Sequence, residues 1–365
     1  LPTQAPPTSV QDFDVNFQAQ SGSIGADGLR WVDGSTLAVE GIGWPDESAA
    51  FCRFPDRSKG ELRDALWQLS RCSSGICVRF LSNATELSVR WKLRSENLAM
   101  PHMPATSVSG LDLYVRDLQS NRVLWAAAAR AENFPVNTVC LLQEQPKQMR
   151  EYFLYLPLYN GVEELEIGVN ALAEVTPAAS RKTKPICFYG ASIVQGACAS
   201  RSGLAMPALL GRRFERAIWN FGFSGNSHAE PEVAELLAEL DPSLYVIGPA
   251  PSLTAEFIAT RLPHFLEVLR EARRSTPIVL VENAIYQDAW TNPERNTQPR
   301  EANAALRIAF AQLKNRISDL HFFPGEYSLG SDGEATVDGT HPNDIGFLRL
   351  AKALAVKLEP LLQRV

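Results

Sequence analysis

The chain of 365 residues is long for one domain and comfortable for two. Hydrophobic residues make up 45% and charged residues 21%, as in an ordinary globular protein, and the net charge of -6 argues against nucleic acid as the main partner because phosphate binding needs a basic surface. No apolar run approaches the roughly 20 residues that a membrane-spanning helix needs.

Residues 1–10, which open on Leu1 and a Pro-rich stretch, read as a disordered lead-in. They fit a secreted or periplasmic protein whose signal peptide is gone, and a trimmed cytoplasmic chain would look the same. From 11 to 175 short strands alternate with turn signals. Leu87, Val89, Trp91 and Leu93 interleave with Glu86, Ser88, Arg90 and Lys92, the alternation of a half-buried strand. Residues 111–116 and 123–127 flank Asp117 to Asn121 and predict a hairpin. Residues 152–158, then Asn160 and Gly161, then Leu165, Ile167 and Val169 predict another. One short helix is expected over 62–69. The pattern is that of an all-β sandwich or jelly roll.

Trp31, Trp44, Trp67, Trp91 and Trp125 all lie in this half. They predict either a sugar-stacking face or plain core, and Trp91, on its alternating strand, is core. The irregular loop 97–110 carries His102, which either overhangs a neighbouring site or lies on the surface. The six cysteines, Cys52, Cys72, Cys77, Cys140, Cys187 and Cys198, match no metal-ligand spacing. Cys72 and Cys77 are close enough to bridge across a turn, and Cys187 reads as a small buried hydrophobe.

Residues 176–184 read as an inter-domain linker, and from 185 to 365 strands alternate with helices. Strands are expected at 186–189, 217–221, 244–247, 278–281 and 320–323. Helices are expected at 204–216, 232–240, 255–273, 301–317 and 344–362. This is an α/β domain with a doubly wound, flavodoxin-like parallel sheet. Right-handed crossovers bring the loops after Gly190, at 222–226 and at 248–252 to one edge.

On that edge stands Ser192, two residues past the first strand, a candidate nucleophile that needs a general base. Among His102, His228, His264, His321 and His341, the last stands in a loop before the final helix, three residues after Asp338. A turn through Gly339 can fold the carboxylate back onto the imidazole Nδ1. The Ser192 N–H is one oxyanion donor, and Gly225 lets the backbone approach closely. The Asn226 amide either adds a donor or caps the next helix. Gln195 and His102 are the candidate substrate contacts.

Three blocks, Tyr189-Gly-Ala-Ser-Ile-Val-Gln-Gly196, Asn220-Phe-Gly-Phe-Ser-Gly-Asn226 and Asp338-Gly-Thr-His-Pro342, together resemble the SGNH (GDSL-type) hydrolases. More narrowly, the chain is similar to two-domain members with an N-terminal β-sandwich. Leu66-Trp-Gln-Leu-Ser70, Ser73-Ser-Gly75 and Val108-Ser-Gly-Leu-Asp-Leu-Tyr114 resemble that domain's recurrent segments. The resemblance implies a nucleophile at Ser192, a base and its partner at His341 and Asp338, a backbone oxyanion donor at Gly225, and no metal or organic cofactor. It also implies an Asp and an Asn in the third post-strand loop, where this chain has Gly248 and Ser252, so that Ser252 is left as a hydroxyl donor. The implied activity is hydrolysis of short acyl esters, acetyl above all, on a small-molecule or glycan substrate. The rival readings are an attenuated carbohydrate-binding protein on the same fold, and a lipid esterase or thioesterase.

Overall fold

The computed structural model describes residues 23–24, 28–248 and 253–364. The lead-in expected at 1–10, and Ser252, lie outside the described residues. The first half contributes β1 (Ser23–Ile24), β2 (Leu29–Asp33), β3 (Ala38–Glu40), α1 (Asp64–Ser70), β4 (Cys77–Ser82), β5 (Leu87–Leu93) and α2 (Ala105–Val108). It continues with β6 (Leu111–Arg116), β7 (Val123–Ala129), β8 (Val136–Leu142), β9 (Arg150–Tyr155), β10 (Val162–Asn170) and β11 (Val175–Pro177). One sheet runs β1-β2-β10-β5-β8; the other runs β11-β4-β9-β6-β7, with β3 also paired to β4. Alternate residues of both sheets, Val32, Val89, Trp91 and Ile167 from one and Val78, Phe80, Leu113 and Leu154 from the other, meet in a shared apolar core.

The hairpin expected on either side of Asn160 and Gly161 does not form. β9 pairs with β4 and β6, whereas β10 pairs with β2 and β5, so the intervening segment crosses from one sheet to the other. Asn160 is buried and bridges: its side chain accepts from Ser95 N at 3.0 Å and donates to Ser95 O at 2.8 Å. Gly161 is required there because a Cβ would lie 2.4 Å from Arg71 O. The same Asn-Gly letters serve a tight turn or a close crossover, and only long-range packing decides.

The second half contributes β12 (Ile186–Gly190), α3 (Ser192–Gln195), α4 (Met206–Phe214), β13 (Ile218–Gly222), α5 (Pro231–Glu239) and β14 (Leu244–Gly248). Then follow α6 (Ala255–Thr260), α7 (Leu262–Ala272), β15 (Ile278–Val281), α8 (Thr297–Leu313), β16 (Leu320–Phe323) and α9 (Asp344–Leu362). Its sheet is parallel throughout, in the order β13-β12-β14-β15-β16. β12 is buried on both faces: Ile186 and Phe188 pack towards α4 and α9, Cys187 and Tyr189 towards α5 and α7. The single helix expected over 255–273 is two, because Pro263 in the first turn of α7 cannot donate to a preceding carbonyl. A helical turn also begins earlier than the sequence suggests, at Ser192 itself.

The halves are closely joined. Trp44, Phe54, Leu62 and Leu66 belong to the apolar cluster of α5, α7 and β12, not to the sandwich core. Arg53 is fully buried and donates to Cys72 O (2.9 Å), Asn220 O (3.1 Å), Gly222 O (2.6 Å) and Leu69 O, with its guanidinium 4.7 Å over the Phe223 ring. Asp112 and the Tyr114 hydroxyl of β6 both take Arg201 from the loop after α3, at 3.0 and 2.6 Å. All six cysteines are free thiols. Cys72 and Cys77 do not bridge because they face different surroundings: Cys77 packs with Tyr114, Phe153 and Tyr155, Cys72 beside Arg53 and Cys52. Trp31, Trp44 and Trp91 are buried; Trp67 stacks on the Arg71 guanidinium at 3.8 Å, and Trp125 is exposed. The five therefore form no common stacking face.

Candidate active site

β12 ends at Gly190, where a Cβ would lie 2.6 Å from both Gly248 O and Val194 Cγ2. The crowding arises because Ser192 must start a helical turn directly beside the edge of β14. α3 ends at Gly196, whose φ of +110° suits glycine alone. This strand–turn–helix places the Ser192 hydroxyl at the point where the sheet order reverses, with the residue 7% exposed.

His341 comes to it from a loop 149 residues away, its Nε2 3.0 Å from Ser192 Oγ. The loop is closed by Val337 N to His341 O (3.0 Å) and Asn343 N to Ala335 O (3.0 Å). Asp338 Oδ1 accepts the N–H groups of Thr340 (3.0 Å) and His341 (2.8 Å), which leaves Oδ2 for the imidazole Nδ1 at 2.7 Å. Burial pushes the Asp338 carboxyl up, but the His341 N–H, the imidazole and the Thr340 N–H together outweigh it and hold it below the usual carboxylate range. An anionic Asp338 places the imidazole proton on Nδ1 and leaves the Nε2 lone pair facing Ser192.

The loop after β15 holds this arrangement from outside. Gln287 N donates to Gly339 O at 2.9 Å, and Gln287 Oε1 accepts from Ala335 N at 3.0 Å. Gly339 has φ +84°, and a Cβ there would lie 2.3 Å from Asp288 Cγ. Neither Gln287 nor Asp288 stands out in the sequence; their one signal is a place just after a parallel strand's C-terminal end.

On the other side, β13 leads into a turn in which Ser224 N donates to Gln195 Oε1 (2.9 Å) and Asn226 N to Phe223 O (2.9 Å). Gly225, at φ +66°, stands between them, and its N–H, like that of Ser192, makes no hydrogen bond among the described residues. Asn226, read as either a donor or a helix cap, caps no helix, since α5 opens after Glu230. Its Nδ2 donates to Ser224 O at 2.8 Å and its Oδ1 accepts from Arg63 Nη1 at 3.0 Å, so the side chain braces the turn. Gln195, expected at the substrate, is fully buried; its Nε2 donates to Leu158 O at 3.1 Å while its Oε1 holds Ser224. It couples the Ser192 turn to the Gly225 turn.

The first half reaches this site directly. Ser74 Oγ donates to Gln195 O at 2.6 Å and accepts from Asn220 Nδ2 at 3.1 Å. The 97–110 loop is pinned by Thr106 Oγ1 to Ser200 O (2.6 Å), and its His102 ring lies 6.2 Å from the His341 ring, at the site's rim. Ser200 Oγ in turn donates to Asp344 Oδ2 at 2.6 Å, linking the loop after α3 to the start of α9. A small apolar cavity of about 40 Å³ lies beside the site, lined among others by Ile193, Val246, Gly248 and Pro342. No helix among the described residues is long and apolar enough to cross a membrane.

Residues 183–359 match the family model described as GDSL-like Lipase/Acylhydrolase, and residues 29–175 match the model for the N-terminus of SGNH-hydrolase-type esterases. A crystal structure described as a GDSL-like lipase from Bacteroides ovatus superposes with a TM-score of 0.87 at 29% identity, covering 92% of this chain and 98% of that one. The salicylyl-acyltransferase SsfX3 of a tetracycline biosynthetic pathway shares the fold at TM-score 0.72 and 17% identity, covering 92% and 98%. A family two carbohydrate esterase from Clostridium thermocellum, solved with cellohexaose, shares it at TM-score 0.58 and 14% identity, covering 80% and 94%. No curated protein matches the chain by sequence.

Proposed function

The chain belongs to the GDSL-type (SGNH) hydrolases, a hydrolase domain behind the N-terminal domain of an SGNH-type esterase, and on that premise we propose that it is a serine esterase removing short acyl groups, acetyl foremost, from carbohydrate. The observation that carries this reading is the continuous relay from Asp338 through His341 to Ser192, at 2.7 and 3.0 Å. Ser192 Oγ attacks the ester carbonyl as His341 Nε2 takes its proton. Asp338 orients the ring and stabilises the imidazolium. The Ser192 and Gly225 N–H groups hold the oxyanion. His341 then protonates the leaving alcohol and activates the water that clears the acyl-enzyme.

The cellohexaose complex of the C. thermocellum esterase supports a glycan acceptor, and the acyltransferase neighbour makes the identity of the second acceptor a variable worth measuring. The test is a panel of acetyl, butyryl and octanoyl aryl esters with acetylated oligosaccharides. Acetyl esters should exceed octanoyl by at least about tenfold in kcat/KM, since each misfitted methylene is worth roughly 1 kcal/mol or more. Preference for octanoyl would move the assignment to lipids. Glycan binding without turnover of any ester would leave a non-catalytic protein.

Gly339 supplies a second check. Gly339→Ala forces a Cβ into Asp288 at a left-handed backbone position, so the Asp338–His341 turn must shift. A displacement of about 1 Å at a reacting group costs on the order of a hundredfold. We expect kcat to fall by about that factor while circular dichroism stays that of the parent; unchanged kcat would show that the turn tolerates the shift.

A further inference from the structure

Cys198 has no part in the reaction described above, yet it lies against the pair that drives it. It is 4% exposed, has φ +70°, and packs among Met103, Val108 and Ala197. Its Sγ, a carboxylate oxygen of Asp338 and a ring nitrogen of His341 all lie within 4.8 Å of one another. We propose that Cys198, Asp338 and His341 form a binding site for a soft divalent cation, Zn²⁺ above all, and that the ion switches the enzyme off by taking His341 out of the relay. The switching half rests on the esterase reading; the binding half does not.

A thiolate, an imidazole and a carboxylate are the ligand types zinc selects, with bonds of roughly 2.0–2.3 Å. A tetrahedral ion with such bonds needs its ligand atoms about 3.3–3.8 Å apart, so Cys198 Sγ need close by no more than about 1–1.5 Å, while Asp338 Oδ2 and His341 Nδ1, 2.7 Å apart, must open to admit an ion between them. Side-chain rotation supplies that at the mouth of a loop. The fourth position can be water, because the Asp338 and His341 side chains are 39% and 24% exposed. On binding, the thiol gives its proton to solvent and the sulfur lone pair goes to the metal; nothing is oxidised or reduced. The imidazole stays neutral. If the ion takes Nε2, the base atom is blocked outright. If it takes Nδ1, the ring proton moves to Nε2, which then faces Ser192 as a donor. In both cases His341 can no longer accept the Ser192 proton.

The experiment uses the full chain, freed of metal with a chelator. Co²⁺ is titrated without substrate and read by thiolate-to-cobalt charge-transfer absorption; Zn²⁺ is titrated against aryl acetate turnover. The wild type should show the absorption band and lose turnover reversibly on adding Zn²⁺, with chelator restoring it. Cys198→Ser should remove the band and raise the Zn²⁺ concentration for half-inhibition by at least about tenfold, since even outer-shell changes at zinc sites cost that much. Cys198→Gly, which suits the positive φ, repeats the test if the serine variant folds poorly. No cobalt–thiolate band in the wild type, Zn²⁺ sensitivity in the Cys198 variants equal to that of the wild type, or a band with undiminished turnover would each overturn the proposal. A metal-free protein without ester turnover bears on the esterase reading alone, because the cobalt band is read without substrate.

Discussion

Ser192→Ala is expected to lower kcat on aryl acetates by roughly 10⁴–10⁶, the range seen when a serine nucleophile acting with its base is removed. That is about 5–8 kcal/mol of transition-state stabilisation. The size follows from how the neighbouring groups depend on this oxygen. The Asp338 carboxylate fixes the imidazole tautomer, and the Nε2 lone pair is directed at Ser192 Oγ alone, 3.0 Å away. Without the hydroxyl, the base has no proton to take and no acyl-enzyme forms; what remains is binding and two backbone donors. KM should change little, because Ser192 Oγ contributes no large contact surface. Stability should change little too, since the backbone bonds of the turn, Gln195 N to Ala191 O (3.0 Å) and Gly196 N to Ser192 O (2.9 Å), need no hydroxyl. Steady-state rates and the thermal midpoint, measured on the same preparation, separate the two effects. More than about 1% residual activity with an unchanged midpoint would mean that another group is the nucleophile.

Different parts of the molecule were legible in the sequence for different physical reasons. β15, β16 and α9 match expectation residue for residue, because short, largely apolar strand runs and a long amphipathic helix opening on Asn343 carry their signals locally. Ser192, Asp338 and His341 were legible because strand ends on one edge are a topological consequence of parallel pairing, so residues 149 apart could be placed together. Asn226 and Gln195 were not. An amide near a reactive serine reads the same whether it faces a substrate or a backbone, and here Arg63 and Leu158, both far away in sequence, decide the matter. The 152–169 hairpin failed for a related reason: Asn160 and Gly161 satisfy turn chemistry, but Arg71 O against Gly161 and Ser95 against Asn160 make a crossover. Arg53 was invisible. Its carbonyl partners lie 16, 19, 167 and 169 residues away, and no local pattern marks an arginine that closes such a gap.

Arg53 is accordingly the position where the largest structural effect is expected. Burial lowers its pKa to about 10, which still leaves it charged at neutral pH, and its neighbours are carbonyl oxygens rather than a carboxylate. Arg53→Met keeps the apolar stem but takes the guanidinium away from Cys72 O, Asn220 O and Gly222 O, whereas Leu69 O still accepts from Cys72 N at 3.1 Å. Each orphaned acceptor costs about 1–3 kcal/mol before relaxation, so a net loss of at least about 3 kcal/mol is expected even if water recovers some of them. The thermal midpoint should fall by about 5 °C or more. Two of those carbonyls, Asn220 O and Gly222 O, lie on β13, and Gly222 directly precedes the turn that presents Gly225. The same substitution should therefore lower kcat by on the order of ten- to a hundredfold, as expected for a displaced oxyanion donor. Arg53→Lys keeps the charge but cannot reach four divergent oxygens with one ammonium group, so it should recover part of the midpoint and little of the rate. Full recovery of both by lysine would show that charge, not the guanidinium fork, holds the two halves in register. A fall in midpoint with kcat unchanged would show that β13 keeps the Gly225 turn in place by itself.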